Sequence, residues 1–143
     1  MVKTKKITVT PDPVLEVSQV RGYRAVMLGA GDVGSGGTTQ EVGFQIKDTD
    51  GNNVALEVVL EFAAFDDVDL SVPAVSATLG TVIDGTIIAG EPSAALKVKT
   101  DATGLFKCTL TDIVDETVTL GCSMTFGSIV VDCQDTDSVT FSA

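Results

Sequence analysis

Apolar and polar residues alternate along much of this chain, most clearly in LKVKTDATGLFKCTLT at residues 96–111. Leu96 and Val98 alternate with Lys97 and Lys99, while Phe106, Cys108 and Leu110 alternate with Lys107, Thr109 and Thr111. A period of two on both sides of Asp101-Ala102-Thr103-Gly104 predicts two half-buried strands and a tight connection. The same grammar predicts strands at 6–10 (KITVT), stopped by Pro11-Asp12-Pro13, at 22–28 (GYRAVML) and at 42–47 (VGFQIK). Residues 29–39 (GAGDVGSGGTT) read as a Gly-rich loop, expected to be the least ordered internal segment, and 48–53 (DTDGNN) as a turn.

The run at 54–65 (VALEVVLEFAAF) fits two templates. A strand puts Val54, Leu56, Val58, Leu60 and Phe62 on one face; a helix groups Val58, Val59 and Phe62. Unbroken alternation favours the strand. An irregular acidic connection follows at 66–77, and TVIDGTII at 81–88 carries Asp84-Gly85, a strong hairpin signal. Residues 117–126 turn Val118, Leu120, Cys122, Met124 and Phe126 inward, and Gly127-Ser128 suits a type II′ turn that returns 129–133 alongside. That register sets Cys122 opposite Cys133, Cα atoms about 5.5 Å apart, with both thiols reduced. A last strand at 138–143 turns Val139 and Phe141 inward. About eight or nine short antiparallel strands between turn signals predict an all-β sandwich in one domain rather than an up-and-down barrel.

Composition strengthens that expectation. The chain has 143 residues, with 21 Val and 18 Thr, whose stiff χ1 suits a pleated surface. Acidic residues outnumber basic ones by 20 to 9, and the net charge of −11 argues against nucleic-acid binding. The charge is split: residues 1–24 carry Lys3, Lys5, Lys6, Arg21 and Arg24 against Asp12 and Glu16, a balance of +3, and the remainder carries −14. No uncharged run is long and apolar enough to span a bilayer, and ITVTPDP stands where a secretory signal would have its apolar region, so a soluble chain made in a cytoplasm is expected.

Four stretches together resemble a bacterial immunoglobulin-like domain of the invasin/intimin type. They are ITVTPDPV at 7–14, VGFQIKDTDGNNVALEVVLEF at 42–62, TDATGLFKCTLTDIVDETVTL at 100–120 and SVTFSA at 138–143. The resemblance implies an immunoglobulin-like sandwich, a module used in spacers, adhesive units and virion appendages. Residues 14–40 and 129–137 are longer than that pattern needs and are where an individual function is expected.

Candidate chemistry is sparse. Gly29-Ala30-Gly31-Asp32-Val33-Gly34 matches the glycine spacing of a dinucleotide fingerprint, but only seven residues lie between it and the next strand, too few for the crossover helix. Asp48-Thr49-Asp50-Gly51-Asn52 begins like a calcium loop, yet Gly51 falls fourth rather than sixth and Val59 stands where the closing Glu belongs. A turn is the favoured reading; the alternative is calcium held jointly with Asp66, Asp67 or Asp69. The chain has no His and no G-x-S-x-G, and Cys108, Cys122 and Cys133 match no zinc spacing and fall on apolar faces.

A non-enzymatic structural protein without cofactor or metal is therefore expected. The resemblance and the start at Met1 without a visible signal imply a decoration or accessory protein of a tailed-phage virion, assembled in the host cytoplasm. The alternative is an extracellular adhesin-type module of a bacterial cell-surface protein. Expected partners are virion structural proteins or copies of the chain itself, not nucleic acid or membrane. Lys3, Lys5, Lys6, Arg21 and Arg24 are the candidate contact residues, with residues 1–6 as a basic arm.

Overall fold

The computed structural model describes residues 22–89, 93–124 and 131–142. Among these there is no helix, and ten strands form two sheets. In chain order they are β1 (Arg24–Leu28), β2 (Gly31–Ser35), β3 (Thr39–Lys47), β4 (Val59–Phe65) and β5 (Thr78–Asp84). Then come β6 (Thr86–Ala89), β7 (Ala95–Lys99), β8 (Leu105–Thr111), β9 (Glu116–Met124) and β10 (Asp137–Ser142). One sheet has the order β1-β3-β8-β5, the other β2-β10-β9-β4-β7-β6. The result is a β-sandwich. The opening strand at 6–10 and the turn at 127–128, with Phe126, lie outside the described residues.

Alternation explains why the sheets face each other. Val42, Phe44 and Ile46 on β3 and Phe106, Cys108 and Leu110 on β8 are fully buried, as are Leu60, Phe62 and Ala64 on β4. Val118 and Leu120 on β9, Val98 on β7 and Val139 on β10 complete the inner rows. Register keeps like with like: Phe44 stands opposite Phe106, and Phe62 opposite both Leu96 and Cys122. The rings of Phe44, Phe62 and Phe106 meet at the centre, with centroids 5.5, 5.8 and 5.9 Å apart. Tilted and edge-on pairs at that spacing are favourable beyond the area they bury.

Several expectations are corrected. Residues 96–111 do form two strands and a tight connection, but β7 and β8 belong to different sheets, so the turn carries the chain across the sandwich. Asp84-Gly85 does the same: β5 and β6 also lie in different sheets rather than in a hairpin. A Cβ at Gly85 would sit 2.6 Å from the Lys99 carbonyl oxygen and 2.9 Å from the Phe106 ring, so glycine is needed for a tight passage between sheets. An inner row can face the core from either sheet, which is why alternation alone does not separate hairpin from crossover.

The Gly-rich segment 29–39 is not loop throughout. Its residues 31–35 form β2, which pairs in parallel with β10 through Val139↔Gly31 and Thr140↔Asp32, so the sheet is not wholly antiparallel. The run at 54–65 is strand only from Val59. Ahead of it Thr100 stands in for a ladder: its Oγ1 accepts from the Val58 N–H and donates to the Leu56 carbonyl, both at 2.8 Å.

Candidate functional site

Three connections meet at one end of the sandwich: residues 36–38, 66–77 and 112–115. Register places them there, since Thr111 at the end of β8 pairs with Thr39 at the start of β3 and with Thr78 at the start of β5. Between them, 66–77 (DDVDLSVPAVSA) and 112–116 (DIVDE) carry six acids and no cation. Connection 66–77 folds back along β4, with Ala74 N–H donating to the Ala64 carbonyl at 3.0 Å and Asp66 N–H to the Val72 carbonyl at 2.8 Å. Asp67 ties its bend by accepting from the Ser71 and Val72 N–H groups at 3.0 and 2.9 Å. Leu70 sits in the left-handed region at φ 58°, and its side chain lies over Gly121 of β9.

With Leu70 turned in, other apolar side chains face out. Val68 is 74% exposed, Val75 87% and Ile113 83%, with Val72 and Val114 also exposed. Single exposed apolar residues need no explanation, but five in two converging connections form a group. Sequence reasoning passed over them because they lie in acidic turn runs without period. The available signal was Val and Ile at positions where turns ordinarily carry polar residues.

Asp112 and Glu116 bring two carboxyls into contact at this end. Asp112 is 1% exposed; its Oδ1 accepts from Val114 N–H at 3.0 Å, whereas its buried Oδ2 and the buried Oε2 of Glu116 have no other hydrogen-bond partner. The neighbouring Asp112 carboxyl, by hydrogen bond first, then desolvation and the charges of Asp112 and Asp66, pushes the Glu116 carboxyl up to about 7. Glu116 therefore keeps its proton to higher pH than an ordinary carboxyl. The cavity beside Asp112, between the 36–38 and 112–115 connections, measures about 50 Å³, which is room for water rather than a substrate.

Of the predicted contact residues, Arg24 alone is among the described residues. Lys3, Lys5, Lys6 and Arg21 lie outside the described residues. Arg24 is exposed at the start of β1, opposite Lys47 at the far end of β3 from Thr39, about 27 Å away along a nine-residue strand. There it borders an open cleft of about 390 Å³ with Val26, Asp132, Gln134 and Asp135.

The two motif look-alikes have structural explanations. Asp48 Oδ1 accepts from the Asp50 and Asn52 N–H groups, both at 2.9 Å, which closes the turn and holds the carboxyl below its ordinary range, the Asn52 bond contributing most. Among the described residues no group of three or more Asp, Glu, Cys or His side chains is placed to hold a metal ion. The glycines of 29–34 lead into β2, a strand, where a dinucleotide fingerprint would open a helix.

The three cysteines differ. Cys108 is fully buried, and desolvation pushes its thiol up to about 12, so it is chemically quiet. Cys122 is buried in the inner row of β9, where the Cys133 thiol and desolvation push its own thiol up, while Cys133 is half-buried and its thiol donates to the Val131 carbonyl at 3.6 Å. The turn of the expected hairpin that would pair them lies outside the described residues. Cys122 pairs with Phe62 of β4, while Asp132 bridges Arg24 of β1 in the opposite sheet.

No protein-family model, curated protein or solved structure matches this chain.

Proposed function

We propose that this protein is a non-enzymatic structural subunit with an immunoglobulin-like sandwich, acting as a decoration or accessory protein of a tailed-phage virion. Its acidic, apolar end receives the basic N-terminal segment of a neighbouring copy. The observation that carries this is the polarity of the molecule. One end holds exposed Val68, Val72, Val75, Ile113 and Val114 among six acids without a cation. The described chain begins at the other end, with Arg24 beside Lys47, directly after a segment holding Lys3, Lys5, Lys6 and Arg21. Such a contact joins unlike surfaces of identical copies and relieves part of the repulsion between crowded acidic bodies.

The strand order supports the immunoglobulin-like reading. The order β1-β3-β8-β5 corresponds to A-B-E-D, and β10-β9-β4 to G-F-C, with β7 and β6 extending the sheet beyond C. One departure stands out: β5, in the D position, precedes β6 and β7 in the chain. The sequence resemblance is shared by virion and adhesin modules, and capsid, portal or tail genes beside its own would distinguish the two.

The test of the contact is incorporation into purified particles at several salt concentrations, using the wild type, a deletion of residues 1–6, and Lys3, Lys5 and Lys6 replaced by Glu. Occupancy is expected to fall in both variants and to weaken with salt in the wild type. Unchanged occupancy without salt dependence overturns the N-terminal contact.

A further inference from the structure

We propose that Asp112 and Glu116 form a calcium site that ties the start of β9 to the 36–38 connection at the acidic end of the sandwich. The pair is more than a cluster of surface acids, because Asp112 is built into the protein. It is 1% exposed, its N–H donates to the Thr38 carbonyl at 2.9 Å, and its Oδ1 accepts from the Val114 N–H at 3.0 Å. Those bonds hold the residue in place, and its second carboxylate oxygen, Oδ2, is buried with no hydrogen-bond partner among the described residues. The Oε2 of Glu116, four positions on, is buried in the same way.

A buried carboxylate oxygen without a donor forfeits its hydration, a cost that a facing positive charge removes. Residues 36–38, 66–77 and 112–116 contain no lysine or arginine, so these connections supply no cationic side chain. Asp112 instead lines a cavity of about 50 Å³ together with residues 36–38, 113–115 and 141–142. Glu116 stands next to the same cavity, since it pairs with Phe141 in the ladder between β9 and β10. That volume suits an ion carrying water and excludes an organic ligand.

Calcium fits this donor set. It is a hard cation that takes carboxylate, carbonyl and water oxygens in flexible geometry, so two carboxylates serve where backbone carbonyls and water complete the shell. This needs no third acidic side chain, in keeping with the lack of such a group among the described residues. The Thr38 and Ser142 carbonyls each accept one hydrogen bond, from the Asp112 and Gly36 N–H groups, and keep a second lone pair. Magnesium demands near-octahedral geometry and sheds water reluctantly, so it fits less well. With two carboxylates as the charged ligands, affinity belongs at the weak end of the calcium range, a Kd of about 10⁻⁴–10⁻³ M. The site lies within one copy and needs no neighbour.

The test uses the full chain, freed of metal with a chelator and titrated with calcium chloride. Binding is followed by calorimetry, by melting temperature and by the NMR shifts of backbone amides. Expected are one saturable site per chain, a melting temperature raised by several degrees at saturating calcium, and shift changes centred on residues 36–38 and 112–116. Magnesium at equal concentration should give a much smaller rise. Asp112→Asn keeps the shape and the bond from Val114, and is expected to abolish saturation over the same range. Asp50→Asn, in the calcium-like turn at 48–52, should bind as the wild type does. If Asp112→Asn fails to fold, the amide shifts of the wild-type chain decide. Any of four results would overturn the proposal: no saturable binding, an equal response to magnesium, shift changes centred on 48–53, or a folded Asp112→Asn that binds calcium unchanged.

Discussion

Asp112 and Glu116 place two carboxyls side by side, and the raised Glu116 carboxyl couples folding to pH at a single residue. Folding raises the Glu116 carboxyl from its ordinary 4.5 to about 7, so between those values the folded chain holds a proton that the unfolded chain has lost. This contribution to stability is complete below the unfolded value and is lost as pH rises towards about 7. Asp48, Asp67 and Asp101 act in the opposite sense. Their carboxyls are held low mainly by the Asn52 N–H, the Ser71 hydroxyl and the Thr103 hydroxyl, and that contribution is lost as pH falls below the ordinary 3.8. Urea midpoints measured across this range are expected to decline from pH 4.5 to about 7 in the wild type. Glu116→Gln should flatten that part of the curve and leave the acid limb in place. A second residue-scale constraint is Gly43, where a Cβ would lie 1.9 Å from the Phe106 carbonyl oxygen. Gly43→Ala forces β3 and β8 apart and is expected to cost about 3 kcal/mol in urea unfolding, the upper end of overpacking effects.

At the scale of elements, Thr100 does what a strand pairing would otherwise do. Its hydroxyl is buried and serves both the Val58 N–H and the Leu56 carbonyl, and its own N–H donates to the Val58 carbonyl at 3.0 Å. Thr100→Val keeps the shape and leaves two backbone groups without partners, so a loss of about 1–3 kcal/mol is expected. Thr100→Ser keeps the hydroxyl and should recover most of it, apart from one methyl group. Denaturant unfolding of the three proteins compares them directly, and a loss in Thr100→Ser with none in Thr100→Val would mean that the methyl rather than the hydroxyl matters. Edge strands also bear on assembly. β2 is the short, Gly-containing edge of the six-stranded sheet, and all of its residues except half-buried Val33 are exposed. Its irregular register with β10 makes it a poor template for further pairing.

For the whole molecule, the Phe44–Phe62–Phe106 cluster is what couples the sheets. Phe44 and Phe106 come from one sheet and Phe62 from the other. Truncating Phe62 or Phe106 to Ala is expected to cost about 3–5 kcal/mol each. The double variant should fall short of the sum by about 0.5–1.5 kcal/mol, because the rings touch at 5.9 Å. Strict additivity in that cycle would mean that the rings fill space independently and do not act as one inter-sheet contact. The polarity of charge also belongs to this scale. The acidic connections 66–77 and 112–116 lie at the end of the sandwich away from Arg24 and Lys47.

Much of the sandwich was legible residue by residue. The alternation of Val42, Phe44 and Ile46, of Phe106, Cys108 and Leu110, and of Val139 and Phe141 determined which side chains go inward, because a strand's side-chain period is two whatever its neighbours are. The turn at 48–53 was equally local, being closed by the Asp48 carboxylate accepting from the N–H groups two and four positions on. Which strands pair was not local. The connections at Gly85 and at 101–104 carry turn residues that serve a hairpin and a crossover alike, and only packing about the phenylalanine cluster decided for the crossover. Tertiary structure likewise made a strand of Gly31–Ser35, through β10, and laid Asp132 against Tyr23 and Ala25 at the edge of the four-stranded sheet. The candidate end of the molecule was hidden for the same reason. Residues 66–77 and 112–116 lie far apart in sequence, and what makes them one surface is the register of β8 with β3 and β5, which depends on long-range pairing.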